Sequence, residues 1–198
     1  MAQSQTSPVV IITGVPGAGK STVARALMLR YPFGVHIPVD DVRERVVSGL
    51  ASPVPIWTAE TGRQFALAYR AAGKMARVYA EAGFAVALDH VFTPVDIAAN
   101  LLPELQGVPI VRIYLAPKVM VALDRSARRS SKDFDPAVLI NTIRGMDGWL
   151  VEQIDADPGW LRIDSSALSV EQTVDMILQG ISPGGAGGDP LQLSLIHI

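Results

Sequence analysis

The stretch that decides the reading is Gly14-Val15-Pro16-Gly17-Ala18-Gly19-Lys20-Ser21-Thr22, directly after the apolar run Val9-Val10-Ile11-Ile12. Gly14, Gly19, Lys20 and Ser21 have the full G-x-x-x-x-G-K-S spacing of a P-loop. Glycines at these positions let the backbone turn tightly and aim several N–H groups at one point, with no side chains to keep phosphate oxygens away. The helix expected from about Lys20 to Arg30 turns its positive N-terminal end to the same anion. Lys20 then reaches the β- and γ-phosphates, and the Ser21 hydroxyl is a ligand for Mg²⁺. A dinucleotide-binding fingerprint is excluded, because Thr22 stands where its last glycine would be.

The rest of the composition sets limits. The chain has 198 residues, of which 49% are hydrophobic and 18% charged, enough apolar material for one domain with a substantial core. The net charge of −2 lacks the basic excess of a general nucleic-acid binder. No cysteine is present, which excludes disulfides and thiolate metal sites and fits a reducing compartment. No apolar run is long enough to span a membrane, and the first eight residues lack the pattern of a secretory signal. A cytoplasmic location is the expectation.

Working outward from the P-loop, short β-rich runs alternate with helical patterns. Strands are expected at Val9–Thr13, Val35–Val39, Phe84–Asp89, Val108–Leu115 and Trp160–Ile163. Helices are expected at Asp40–Ser48, Thr58–Ala82 (with Thr61 and Gln64 in capping-box spacing), from Thr93, at Lys118–Ser130, from Asp135 to Ile154, and from Ser169 to Gly180. This alternation predicts an α/β chain of three layers: a five-stranded parallel sheet with helices on both faces. Residues 1–181 read as one domain. Residues 182–198, SPGGAGGDPLQLSLIHI, read as a flexible tail whose end resembles translated cloning sequence.

Three further stretches carry candidate chemistry. Val39-Asp40-Asp41-Val42-Arg43 follows the second strand, on the sheet rim where the P-loop lies. A carboxylate there can take the proton from an attacking hydroxyl, although Asp40 also suits a helix N-cap; Arg43, one turn on, can face the same cleft. Phe84 to Asp89 is an apolar strand ending in a carboxylate, a Walker-B-like placement beside Mg²⁺. His90, next to it, faces either the acceptor or a structural partner. Arg125, Arg128 and Arg129 share a helical face that either closes over the nucleotide as a lid or stays solvated.

These motifs together resemble the small P-loop kinases of the adenylate-kinase-like group, AAA-type ATP-binding phosphotransferases. They are most similar to the chloramphenicol-phosphotransferase-like and zeta-toxin-like ATPases, and more loosely to shikimate and gluconate kinases. The resemblance covers about Pro8 to Ile181. It implies the P-loop NTPase fold, ATP and Mg²⁺ as cofactors, and the P-loop residues 14–22 as the phosphate site. It implies Asp40 as the base, with Lys20, Arg125 and Arg43 assisting, and Ser21 and Asp89 at the metal. Arg125 and Arg129 would belong to the lid, and Ser165 and Ser166, in Ile163–Ser169, to a loop against adenine. His90 departs from the chloramphenicol-type pattern, which tends to a second carboxylate there.

The expected function is transfer of the γ-phosphoryl group of ATP to a hydroxyl of a small molecule, by a monomer or homodimer. Trp57, Arg63 and Gln64 are candidate acceptor contacts, with Trp57 equally suited to staple the long helix. The alternatives are a nucleotide-gated ATPase module acting on a partner, and a polynucleotide 5′-kinase. The acidic balance and the lack of a basic, aromatic-rich channel count against the latter.

Overall fold

The structure, a computed structural model, describes residues 7–128 and 136–181. Arg129, the Ser-Ser-Lys-Asp break and the tail from Ser182 lie outside the described residues, as does the start of the chain before Ser7.

Five strands form one parallel sheet: β1 (Val9–Thr13), β2 (Gly34–Pro38), β3 (Ala85–Asp89), β4 (Ile110–Leu115) and β5 (Trp160–Ile163), in the order β2-β3-β1-β4-β5. All five residues of β1 and of β3 are buried, as central strands covered on both faces require. The connections are α1 (Lys20–Met28), α2 (Val39–Arg43), α3 (Ala59–Glu81), α4 (Pro94–Asp96), α5 (Val119–Ala127), α6 (Pro136–Asp155) and α7 (Val170–Ile181). α4 runs on through a π-turn at Ile97–Leu101 and a 3₁₀ turn at Leu102–Glu104. None of the described helices is long and apolar enough to cross a membrane.

Alternation along the strands splits the core in two. Val10, Ile12, Ala87, Ile113 and Leu115 face α1, α6 and α7. Val9, Ile11, Val86 and Leu88 face α3 and the α4 region. Each fully buried Ile or Leu contributes about 1.5–3 kcal/mol, so both layers are needed to hold the sheet.

Two local expectations change. The capping box of α3 is Thr58 with Thr61, not Thr61 with Gln64. Gln64 is buried instead, accepting from the Ala51 amide at 2.9 Å and donating to the Gly49 carbonyl at 2.8 Å. It therefore pins the loop before α3 to the helix. The second helix is also shorter than expected and stops at Arg43, as the chain turns into that loop.

Candidate functional site

β1 ends in the P-loop. Gly14 and Gly17 pack against other backbone: a Cβ on Gly14 would lie 2.5 Å from the Leu115 carbonyl oxygen, and one on Gly17 would lie 2.0 Å from that of Ala122. Gly19 differs, since with φ +95° it has nothing within 4 Å of where a Cβ would be. The loop is thus braced on one side by β4 and α5 and open on the other. Lys20 arches back over it, donating to the Gly14 carbonyl at 2.8 Å and the Val15 carbonyl at 3.1 Å.

A cavity of about 300 Å³ adjoins the loop, lined by Gly17, Gly19, Thr22, Arg125, Ser165 and Leu168 among others. Arg125 donates to the Ser165 carbonyl at 2.8 Å, so α5 and the β5–α7 loop close its far wall together. Ser166 is turned away from this wall, with its hydroxyl accepting from the Lys118 amide at 2.7 Å and bonded to Asp164. The Ser166 hydroxyl and the Ser166 backbone N–H both donate to the Asp164 carboxyl and hold it below the usual carboxylate range. Arg128 is 78% exposed and paired with Asp124, so it leaves the face on which Arg125 lies; Arg129 is outside the described residues.

Asp89 lies at the end of β3, on the α1 side of the sheet. The Ser21 hydroxyl donates to its Oδ2 at 2.7 Å. Its Oδ1 meets Nε2 of His36 at 2.5 Å, a pair that is 17% exposed at the histidine and 5% at the aspartate. Strand parity explains this: His36 pairs in register with Ala87, and Ala87 and Asp89 project to one face. His36 is not legible as a site residue in the sequence, because its meeting with Asp89 depends on β2 lying beside β3. As a metal site, a hydroxyl and a carboxylate facing each other are hard oxygen donors of the kind Mg²⁺ takes from a protein, with its other positions left to phosphates and water. Among the described residues no group of three or more His, Asp and Glu could form an all-protein cage.

Asp40 sits in the first turn of α2, across the rim. Its Oδ1 is 3.4 Å from Nε2 of His90. His90 in turn meets the Tyr69 hydroxyl through Nδ1 at 3.0 Å. Burial, reinforced by the Asp96 and Asp40 carboxylates, pushes the Tyr69 phenol far above its ordinary value. Arg43 does not extend into the cleft as expected. It is 7% exposed, donates to the Ala51 carbonyl at 2.9 Å and stacks its guanidinium 4.7 Å from the centre of the Phe65 ring. The short helix ends there, and the side chain turns under the loop that follows it.

Trp57 stacks on Phe65 with ring centres 5.1 Å apart and 58% of its surface exposed. Gly62, between them on the first turn of α3, leaves room for the indole to lie across the helix. Arg63 forks onto Glu60 with two bonds of 2.8 Å, and with Gln64 it lowers the Glu60 carboxyl to about 2. The arrangement therefore joins three parts: a glycine-rich loop open on one side, a serine–aspartate pair beside it, and a second carboxylate next to an aromatic cluster.

The AAA domain family profile matches residues 9–150. Among curated proteins none matches the sequence. Solved structures with a similar fold include a sugar kinase from Janibacter sp. HTCC2649, with 17% identity, TM-score 0.63, and coverage of 92% of this chain and 99% of that one. A shikimate kinase from Acinetobacter baumannii in complex with shikimate has 20% identity and TM-score 0.62, covering 88% of this chain and 92% of that one. The tunicamycin resistance protein of Deinococcus radiodurans has 16% identity and TM-score 0.63, covering 89% of this chain and 96% of that one. At these identities the likeness is one of fold.

Proposed function

The chain belongs to the AAA domain family, and on that footing we propose that it is an ATP-dependent phosphotransferase acting on a hydroxyl of a small molecule. The observation that carries the reading is the bond of Ser21, at the P-loop, to Asp89, with Asp40 beside His90 on the same rim. The P-loop, the Ser21–Asp89 pair and a candidate base then stand at the same edge of the sheet, where β1, β3 and β2 end.

The residues divide the task. P-loop amides and Lys20 hold the triphosphate tail; the base and ribose occupy the cavity walled by Arg125 and Ser165. Ser21 and Asp89 would hold Mg²⁺, which when bound neutralises charge across the β- and γ-phosphate oxygens. Asp40 takes the acceptor proton as the acceptor oxygen bonds to the γ-phosphorus. The bond from that phosphorus to the β–γ bridging oxygen breaks, and ADP leaves. Arg125, at the cavity wall, is placed to steady charge on the phosphates. Arg43 holds the acceptor-side loop from beneath rather than touching the phosphoryl group.

The sugar and shikimate kinases among the similar folds support a small hydroxylated acceptor. The lack of cysteine supports work in the cytoplasm. The test is a phosphotransfer screen with γ-labelled ATP over sugars, nucleosides, nucleotide sugars and hydroxylated antibiotics. Label appearing on one of these compounds supports the reading. Label appearing only as inorganic phosphate across the whole set would favour the nucleotide-gated ATPase instead.

A further inference from the structure

The Asp89 carboxylate is held from two sides. From the first turn of α1 the Ser21 hydroxyl donates to Oδ2 at 2.7 Å, and from β2 the Nε2 of His36 meets Oδ1 at 2.5 Å. The two contacts differ in what they leave open. A hydroxyl that donates its hydrogen keeps two lone pairs on oxygen, and a carboxylate oxygen that accepts one bond keeps a further site. Ser21 Oγ and Asp89 Oδ2 therefore stay available together to a hard cation. Oδ1 is engaged by the imidazole.

His36 is well placed to keep that oxygen. β2 runs in register beside β3, from Gly34 opposite Ala85 to Pro38 opposite Asp89, so the His36 backbone is fixed by the sheet and only two side-chain torsions remain. The imidazole is largely buried and the carboxylate almost wholly so. Ser21 already supplies Asp89 with one hydrogen bond. The second, from a ring anchored on a strand, fixes the plane of the carboxylate and closes one of its oxygens. Outer partners that orient a metal-binding group in this way are worth about 10- to 100-fold in metal affinity.

The cations respond differently to an aspartate with one open oxygen. Mg²⁺ takes about six oxygens, with one or two carboxylates supplying their share and phosphates and water the rest. Ca²⁺ takes about six to eight and readily uses both oxygens of one carboxylate. We propose that His36 is a positioning residue that sets the metal preference of the site: its Nε2–H holds Asp89 Oδ1, so that Asp89 offers Oδ2 alone beside Ser21, a donor set that suits Mg²⁺ and disfavours Ca²⁺. The proposal rests on the assignment of Ser21 and Asp89 to a metal above. His36 itself touches neither metal nor nucleotide.

The test has two arms. The first uses the metal-free protein. The chain holds three histidines, so ¹⁵N-histidine labelling with long-range proton–nitrogen correlation resolves each ring, and His36→Gln identifies the His36 signals by their loss. The expected result is a hydrogen on Nε2 of His36. An Nδ1–H tautomer, with Nε2 bare, overturns the contact, because a carboxylate cannot donate to it. The second arm is calorimetric binding of ATP at fixed pH with Mg²⁺ or Ca²⁺ as the only divalent cation. His36→Leu removes the donor, His36→Asn draws it back to about the Nδ1 position, and His36→Gln returns an amide N–H to about the Nε2 position. In the first two the half-saturating Mg²⁺ concentration should rise relative to that of Ca²⁺ by about 10-fold or more, and in His36→Gln the ratio should return close to the wild type. Thermal melts confirm that each variant is folded, and should His36→Leu fail to fold, His36→Asn against His36→Gln decides. A ratio unchanged in the donor-less variants, or altered equally in all three, overturns the role of His36 while Mg²⁺-dependent binding by the wild type still supports the metal site. Wild-type binding indifferent to both cations overturns the metal assignment and the proposal with it.

Discussion

The P-loop glycines have different jobs, and alanine should separate them. Gly17 has φ +86° and a Cβ there would lie 2.0 Å from the Ala122 carbonyl oxygen; Gly19 has φ +95° and meets nothing within 4 Å. Both alanine variants carry left-handed backbone strain of about 1–2 kcal/mol. Gly17→Ala must also push α5 off the loop by about 1 Å, and overpacking of that kind costs about 1–3 kcal/mol more. At roughly 2–4 °C per kcal/mol for a chain of this size, Gly17→Ala should melt about 4–20 °C lower and Gly19→Ala about 2–8 °C lower. Affinity should run the other way. If phosphate oxygens approach through the open side of Gly19, its new methyl displaces an amide–phosphate bond of about 1.5–3 kcal/mol, raising Kd for ATP·Mg²⁺ roughly 10- to 100-fold. Thermal melts and titration calorimetry on the two variants measure both effects. A folded Gly19→Ala protein that binds ATP·Mg²⁺ as tightly as the wild type would refute the phosphate cup. Equal melting temperatures would refute the assignment of Gly17 to packing.

Other consequences follow from the same geometry. Asp40→Asn should cost about 10²–10⁴ in phosphotransfer turnover with little change in ATP affinity, measured by single-turnover kinetics once an acceptor is found; normal turnover would remove Asp40 from the chemistry. His36→Ala frees Asp89 Oδ1, so the Mg²⁺ concentration at half-saturation of ATP binding should rise about 10-fold or more, while binding of ATP without metal stays as it was. An unchanged Mg²⁺ dependence in calorimetry would show that His36 does not orient Asp89. Burial raises the phenols of Tyr69 and Tyr114, the latter to about 12. A phenol raised on folding stabilises the native state below its unfolded value of about 10, and this contribution is lost as pH climbs above that. The melting temperature should therefore fall between about pH 10 and 12, less steeply in Tyr114→Phe; an equal slope in that variant would assign the fall to other groups.

Much of this protein was readable before its fold was known, because the relevant signals are local. A P-loop is set by residues adjacent in the chain, and buried strands such as Val9–Thr13 and Ala85–Asp89 announce themselves as apolar runs. The strand order could not be read, since it depends on which strand inserts beside which. Placing β3 between β1 and β2 is what brings Asp89 to Ser21 and His36, residues 68 and 53 positions away. Arg43 shows the reverse limit. Its spacing from Asp40 set it on the expected side, but whether it would reach the cleft depended on a loop and a phenylalanine that arrive later in the chain.

The sequence alone, then, determined the phosphate-binding loop, the alternation of elements and the residue types from which a transferase site is made, because backbone dihedrals and hydrophobic periodicity act over a few residues. Only the tertiary structure decided which oxygen of Asp89 meets a hydroxyl and which a histidine, and that Asp40 faces the His90 imidazole. Those pairings are contacts between distant segments, and nothing short of the packed sheet brings them together.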